Sequence, residues 1–177
     1  LDFTTMAAIL DGTSNTIALA ERCRPSERDD RGMVAVDAGA DPTSFIPLSC
    51  RAYWSGNKYV STAPMFTADT SPGYRWGDGV AYFHAMTTIL PPNTAVCLIG
   101  DPSWSSGGGH YGPGIWTSTS EHPGGVLVVL ADGGTRFVAD SIDTGNLAVV
   151  APSPTSSAPS PYGVWGALGT KQGGETI

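Results

Sequence analysis

The longest uninterrupted apolar run in the chain is Val126–Ala131, and glycine pairs lie close on either side of it. The run is rich in β-branched residues and too short for a helix, so it predicts a strand that is covered on both faces. Residues 135–140 then alternate in polarity with the period of a second strand. Because Asp132-Gly133-Gly134 tolerates positive φ, the two strands are predicted to form a hairpin against which the rest of the chain packs. Asp143 is placed to cap a short helix near Asn146.

Shorter patterns predict the elements that precede the hairpin. Apolar side chains at helical spacing predict a short helix over residues 4–10, and residues 16–20 predict a strand. Charged and small residues dominate from residue 24 to residue 47, which predicts an exposed excursion with an edge strand near residues 33–36. These elements give the chain a β-rich pattern with long connections.

The segment between Tyr74 and Leu90 is dense in aromatic residues. Our preferred interpretation is that its rings cover the sheet. The alternative is that they line a carbohydrate site together with Asp78 and His84, because flat rings stack on sugar faces.

Composition supports a β-rich fold and excludes some partners. The 177 residues include 23 Gly and 14 Pro, and only 14% are charged, which favours a fold with many turns over a helical bundle. The length suits one domain, predicted for residues 1–177, with the Ser/Pro-rich residues 151–161 as an excursion within it. A formal charge of −7 without any Lys/Arg cluster argues against nucleic acid as a partner. No apolar window is long enough for a membrane span or a signal peptide, and the start at Leu1 leads us to expect a processed or incomplete chain.

The three cysteines, Cys23, Cys50 and Cys97, allow one internal disulfide. Cys23 lies beside a charged loop, so Cys50 and Cys97 are the expected pair. Such a bridge would fit an exported protein. The alternative is three reduced and partly buried thiols, since free cysteines are often buried.

Candidate catalytic chemistry is sparse, and we expect no enzyme, no cofactor and no metal. His84, His110 and His122 lack the close spacing of paired zinc ligands, and no nucleophile motif or carboxylate pair appears. We expect His122 to hydrogen-bond a neighbouring backbone group or the region of Asp132 and so to fix the start of the strand. General-base or metal chemistry at His122 is the alternative.

The turn at Asp11, Ser14 and Asn15 also allows two interpretations. Its side-chain oxygens are hard donors that could bind a cation. Such side chains more often satisfy their own backbone in turns, which is the interpretation we prefer.

Four ordered blocks of the chain resemble the DUF1559 proteins, a pseudopilin-like group of planctomycete-type bacteria. His122, nine intervening residues and Asp132-Gly133 resemble the H-X9-DG signature of that family. Residues 11–16 (DGTSNT) and 88–93 (TILPPN) resemble two further elements, and residues 165–175 resemble the usual closing segment. The resemblance implies that the following motif residues have structural roles: Asp11, Gly12, Asn15, His122, Asp132 and Gly133.

The resemblance also implies a fold and a function. The expected fold is β-rich α+β, a pseudopilin-like antiparallel sheet with long irregular loops, in which the DGTSNT element leads into a strand beside the hairpin. The family's N-terminal pilin-type helix is expected to be missing from this chain. The expected function is that of an exported structural subunit at the cell surface, which self-assembles head to tail into a filament by adding a strand to a sheet edge. The alternative is an extracellular carbohydrate- or peptide-binding module, and residues 151–161 offer Ser and Thr as candidate O-glycan sites.

Overall fold

A computed structural model describes five stretches of the chain, residues 4–37, 40–75, 77–103, 109–153 and 156–175. In these stretches the strands form two three-stranded sheets and one two-stranded hairpin, joined by short helices and irregular loops. The β-rich α+β class expected from the sequence is therefore confirmed. None of the described helices has the length and apolar character that crossing a bilayer requires.

The strands and helices have the following bounds. The strands are β1 Ile17–Ala20, β2 Val34–Asp37, β3 Trp54–Ser55, β4 Lys58–Tyr59, β5 Val96–Ile99, β6 Gly114–Ile115, β7 Gly125–Leu130 and β8 Thr135–Ala139. The α-helices are α1 Pro47–Arg51, α2 Ala81–His84 and α3 Gly163–Ala167, and 3-10 turns cover Met6–Ala8, Ala68–Thr70 and Gly109–Tyr111.

The first sheet has the order β1-β7-β8 and is antiparallel throughout. Strands β7 and β8 form the predicted hairpin, with Gly125 opposite Ala139 and Val129 opposite Thr135. Strand β1 pairs with the other side of β7, which confirms that the strand after the DGTSNT element lies beside the hairpin.

One face of this sheet is buried and the other is exposed. Val126, Val128 and Leu130 point inward, where they pack with Trp165 of α3. On the opposite face Leu127 remains 41% exposed, so the prediction that this strand is covered on both faces is wrong. The unbroken apolar run was misleading because no described element packs over the outward face.

The second sheet has the order β2-β5-β6 and carries its own core, so the chain does not pack against the hairpin alone. Strand β2 runs parallel to β5, with Ala35 opposite Cys97. Cys97 forms a disulfide with Cys50 of α1, which confirms the expected pairing. The edge strand predicted near residues 33–36 is confirmed as β2, but Val34 and Ala35 are fully buried, so the exposed excursion expected around it is interrupted at this strand. A long-range parallel pairing, which leaves no local signature, buries it.

The aromatic segment covers the second sheet, as our preferred interpretation held. Tyr82 and Phe83 of α2 are buried against β2 and β5, and the Tyr82 ring lies 5.1 Å from that of Trp116. His84 stays exposed, and Asp78 accepts a hydrogen bond from the Val80 amide at 3.3 Å. Trp76 belongs to the same predicted layer but lies outside the described residues.

Neither of the two short helices predicted over residues 4–10 and near Asn146 forms as an α-helix. The first forms only the 3-10 turn, because the amides of Leu10 and Asp11 donate to the Lys171 carbonyl instead of continuing a helix. In the described chain no helix begins near residue 146. Asp143 instead accepts hydrogen bonds from the Gly145 amide at 2.9 Å and the Val164 amide at 3.4 Å, and so holds the first turn of α3.

The turn between β7 and β8 has the backbone conformation that the sequence predicted. Gly133 has φ +87° and open space around the position of an added Cβ. We predict that Gly133→Val destabilises the protein by about 1–2 kcal/mol, because the left-handed conformation is strained for a β-branched residue. Gly133→Asn is the matched control, since Asn tolerates this region better. Chemical denaturation measures both, and equal stability of the two variants would contradict the turn assignment.

Candidate functional site

The carboxylate of Asp11 binds the closing segment of the chain. Its Oδ2 accepts hydrogen bonds from the Gly173 amide at 2.8 Å and from the Thr170 hydroxyl at 3.0 Å. Its Oδ1 accepts from the Gly174 amide at 2.8 Å. Partial burial raises the pKa of Asp11, but these three donors outweigh that effect and hold its pKa below the ordinary value. Asp11 therefore fastens the C-terminal residues to the start of β1.

The rest of the DGTSNT element lies against the hairpin turn. Gly12 has φ +94°, and Asn15 donates from Nδ2 to the Asp11 carbonyl at 3.2 Å. The amide of Asp132 donates to the Thr13 carbonyl at 3.1 Å, which joins this element to the Asp132-Gly133 turn. The Asn15 bond is of the local kind that we preferred over a cation site, whereas the Asp11 carboxylate binds the distant closing segment and not its own turn. In the stretches that the structure describes, no three His, Cys, Asp or Glu side chains cluster as metal ligands would.

Asn93, the last residue of the TILPPN element, connects three parts of the chain through one buried side chain. Its Nδ2 donates to the Gly125 carbonyl at 3.2 Å and to the Asp140 carboxylate at 2.8 Å. Its Oδ1 accepts from the Ser120 amide at 2.7 Å. The side chain thus joins both strands of the hairpin, at its open end, to the segment that precedes His122.

The closing segment adds two further links to this framework. The indole Nε1 of Trp165 donates to the Leu90 carbonyl at 2.9 Å, so α3 binds the TILPPN element. The amide of Ile17 donates to the Leu168 carbonyl at 2.8 Å, so the same segment also binds β1. The four blocks that are far apart in sequence therefore form one connected network around the first sheet.

His122 lies at the start of β7, but its partner is not the Asp132 region. Its Nε2 is 3.3 Å from Oε1 of Glu21, and the expectation of a contact with Asp132 is wrong. Asp132 follows the opposite end of β7, and a six-residue strand spans roughly 20 Å. The carboxylate of Asp132 instead accepts from the Gly134 amide within the turn, at 2.8 Å.

Glu21 ties the end of β1 to the middle of β7. Its Oε2 accepts a hydrogen bond from the Leu127 amide at 2.7 Å. Partial burial raises the pKa of the Glu21 carboxyl, but the bonds from Leu127 and Ser120 together with neighbouring His122 lower it more, so its pKa lies below the ordinary value. Glu21 thus contacts Leu127, Ser120 and His122, and so joins the end of β1 to the segment that precedes β7.

Sequence reasoning missed several residues of this network. The sequence analysis gives Glu21 no role and names Asn93 only as part of the TILPPN element. Arg22 was also missed: burial lowers its pKa to about 10, and it donates to the Ala85 and Trp116 carbonyls. Of these residues, Asn93 carried a signal in the sequence. Its backbone has φ +59°, and Asn is one of the few residues that tolerate this left-handed conformation.

A cleft of about 470 Å³ opens beside the closing segment. Hydroxyl groups line much of it, among them those of Thr87, Thr88 and Ser153. Among the described lining residues the ionisable side chains are Tyr162 and Lys171. This lining can donate and accept hydrogen bonds, but it offers no paired carboxylates for acid–base chemistry.

Comparison with known proteins places these motifs in a family. A family model described as a protein of unknown function, DUF1559, matches residues 2–145. The chain belongs to the DUF1559 family. The matched part of this DUF1559 protein contains the DGTSNT, TILPPN and H-X9-DG blocks, whereas the closing segment lies beyond it. No curated protein and no solved structure matches the chain.

We predict that Asn93→Ala destabilises the DUF1559 protein by about 3 kcal/mol or more, because buried groups lose their hydrogen-bond partners. Asn57→Ala is the matched control, since Asn57 also has a positive φ, 64°, but its side chain is exposed. Urea denaturation followed by tryptophan fluorescence measures both. Wild-type stability of Asn93→Ala would show that the hairpin does not depend on this residue.

The lowered pKa values of Asp11 and Glu21 predict acid sensitivity. Near their unfolded-state values of about 4, the unfolded chain binds more protons than the folded one, so the free energy of unfolding falls as the pH falls. The stability that these two carboxylates contribute is fully present above their unfolded-state pKa values, and it is lost as the pH falls through their lower folded-state pKa values. Asp11→Asn should flatten the dependence. Thermal melts from pH 7 to pH 3 test it, and parallel curves for wild type and Asp11→Asn would refute a role for Asp11.

Proposed function

We propose that this DUF1559 protein is an exported structural subunit that assembles with copies of itself into a surface filament. The observation that carries the proposal is the outer face of the first sheet. Leu19, Leu127 and Phe137 are 65%, 41% and 51% exposed on that face. Leu127 and Phe137 lie directly opposite each other on β7 and β8, and Leu19 lies opposite Val129. Scattered exposed apolar residues are ordinary, but a contiguous apolar face marks an interaction surface.

The motif network supports a structural role. Asp11, Asn93 and Glu21 use their side chains on distant parts of the same chain, and Asn15 bonds the carbonyl of Asp11 in its own turn. These contacts fix the sheet and the closing segment. They leave the outer face as the surface of the hairpin that is available to a neighbour.

The Cys50–Cys97 disulfide supports export to an oxidising compartment. Disulfides persist outside the cytosol and are rare where thiols are kept reduced. The bridge joins α1 to the central strand of the second sheet and so stabilises the side of the molecule that lacks the motif network.

The second candidate function is binding of a carbohydrate or peptide, and the hydroxyl-lined cleft favours it. The cleft has a volume in the range of small-ligand sites. Among the described lining residues the aromatic ring is that of Tyr162, which is 3% exposed and therefore offers little surface for stacking on a sugar. Self-assembly is the better supported function for this reason.

We predict that Leu19→Ser and Leu127→Ser prevent assembly without unfolding the subunit, because both side chains are largely exposed. Leu48→Ser is the matched control, since Leu48 is 52% exposed on α1, outside the first sheet. Sedimentation velocity across a concentration series, with negative-stain microscopy, measures assembly. Wild-type protein that stays monomeric without fibres at all concentrations would contradict the proposal and favour the binding module.

A further inference from the structure

The outer edge of β8 carries backbone groups that point away from the sheet. The amide of Leu130 donates to the Gly134 carbonyl at 2.7 Å, and the amide of Asp140 donates to the Gly124 carbonyl at 2.9 Å. Hydrogen-bonded and non-bonded pairs alternate along an antiparallel ladder, so the bonded residues of β8 are the even-numbered ones. The amides and carbonyls of Thr135, Phe137 and Ala139 therefore point to the outer edge.

Most of these edge groups are open. The Ala139 carbonyl accepts a bond from the Ile142 amide at 3.0 Å. The other outward amides and carbonyls of Thr135, Phe137 and Ala139 face no further strand in the described part of the chain, because β8 is the outermost strand of its sheet. The opposite edge of the sheet is covered. The Ile17 amide of β1 donates to the Leu168 carbonyl, and the Glu21 carbonyl after β1 accepts from the Thr119 amide. An open edge of this kind is a template for another strand.

We propose that two copies of the protein join through this edge, with β8 antiparallel to β8 across a twofold axis at Phe137. This inference rests on the proposed self-assembly and names its first contact. In this register Phe137 lies opposite Phe137 of the second copy, and Thr135 lies opposite Ala139 of the second copy. The open amides and carbonyls of the two edges then face each other.

Side-chain chemistry favours this register. Residues directly opposite in an antiparallel pair lie on the same face, so the exposed Phe137 and Leu127 of both copies form one continuous apolar surface. Arg136 lies opposite Val138 of the second copy, so no like charges are opposed. The combined sheet joins two three-stranded sheets, and its size is close to the roughly five to six strands of an average sheet.

The symmetry of the contact determines what it can build. Two identical edges that pair with each other form an isologous contact, which closes at two copies. Head-to-tail strand addition, the assembly expected from the sequence, would instead need a donor segment from elsewhere in the neighbour. In our account the edge makes a dimer, and a filament grows from dimers through a second surface.

Engineered cysteines test the register while keeping Phe137. Opposed residues of a hydrogen-bonded pair have Cα atoms about 5.5 Å apart, which suits a disulfide. The double variant with Thr135→Cys and Ala139→Cys should therefore form a covalent dimer under mild oxidation. Each single variant is the matched control. Its introduced cysteine and the same cysteine of the second copy lie four residues apart along the paired strands, roughly 14 Å, which is too far for a disulfide. Cys23 is 7% exposed and contributes little background.

The outcomes separate this inference from the proposed function. Covalent dimer in the double variant, with several-fold less in either single variant, supports the twofold register. Equal cross-linking in all three variants overturns it. Absence of cross-linking while wild type sediments as an oligomer also overturns it, yet leaves the proposed self-assembly intact. A specific covalent dimer from a protein that never forms fibres supports the dimer and contradicts the filament.

Discussion

The structure depends most on the three hydrogen bonds made by the buried side chain of Asn93. The hairpin is a local element that its own sequence can form, but a two-stranded hairpin is marginally stable alone. Asn93 fixes its open end to the segment before His122. Since Asn93 also lies just before β5, the same residue couples the first sheet to the second. The motif residues around it extend this coupling to β1 and the closing segment.

Elements with local causes could be predicted from the sequence. The hairpin follows from an apolar run, an alternating run and a glycine turn, and Gly133 adopts the positive φ that this turn requires. The Cys50–Cys97 disulfide could be predicted because Cys23, the third cysteine, lies beside a charged loop and was set aside as a partner. Residues 4–10 have helical spacing as well, but the Lys171 carbonyl takes the amides that would have continued the helix. Local patterns therefore succeed where no distant partner competes for the backbone.

Contacts between distant segments could not be predicted. The parallel pairing of β2 with β5 joins residues about sixty positions apart and has no local signal. The same holds for the site, where Glu21 rather than Asp132 faces His122. The family resemblance identified Asp11 as important, but only the fold shows that its carboxylate holds Gly173 and Gly174. The two sides of the hairpin thus differ, with a motif network and core on one and an apolar surface on the other.

Native-state hydrogen exchange at the Ser120 amide tests the central claim most directly. This amide donates to Asn93 Oδ1, so it exchanges only when the Asn93 side chain releases it. We predict that it exchanges with the same free energy of opening as the amides of Val126 and Val128 in β7, because all three open only in global unfolding. Rapid exchange at Ser120 while β7 stays protected would contradict it, since the hairpin would then stay folded while the bond between Ser120 and Asn93 is open.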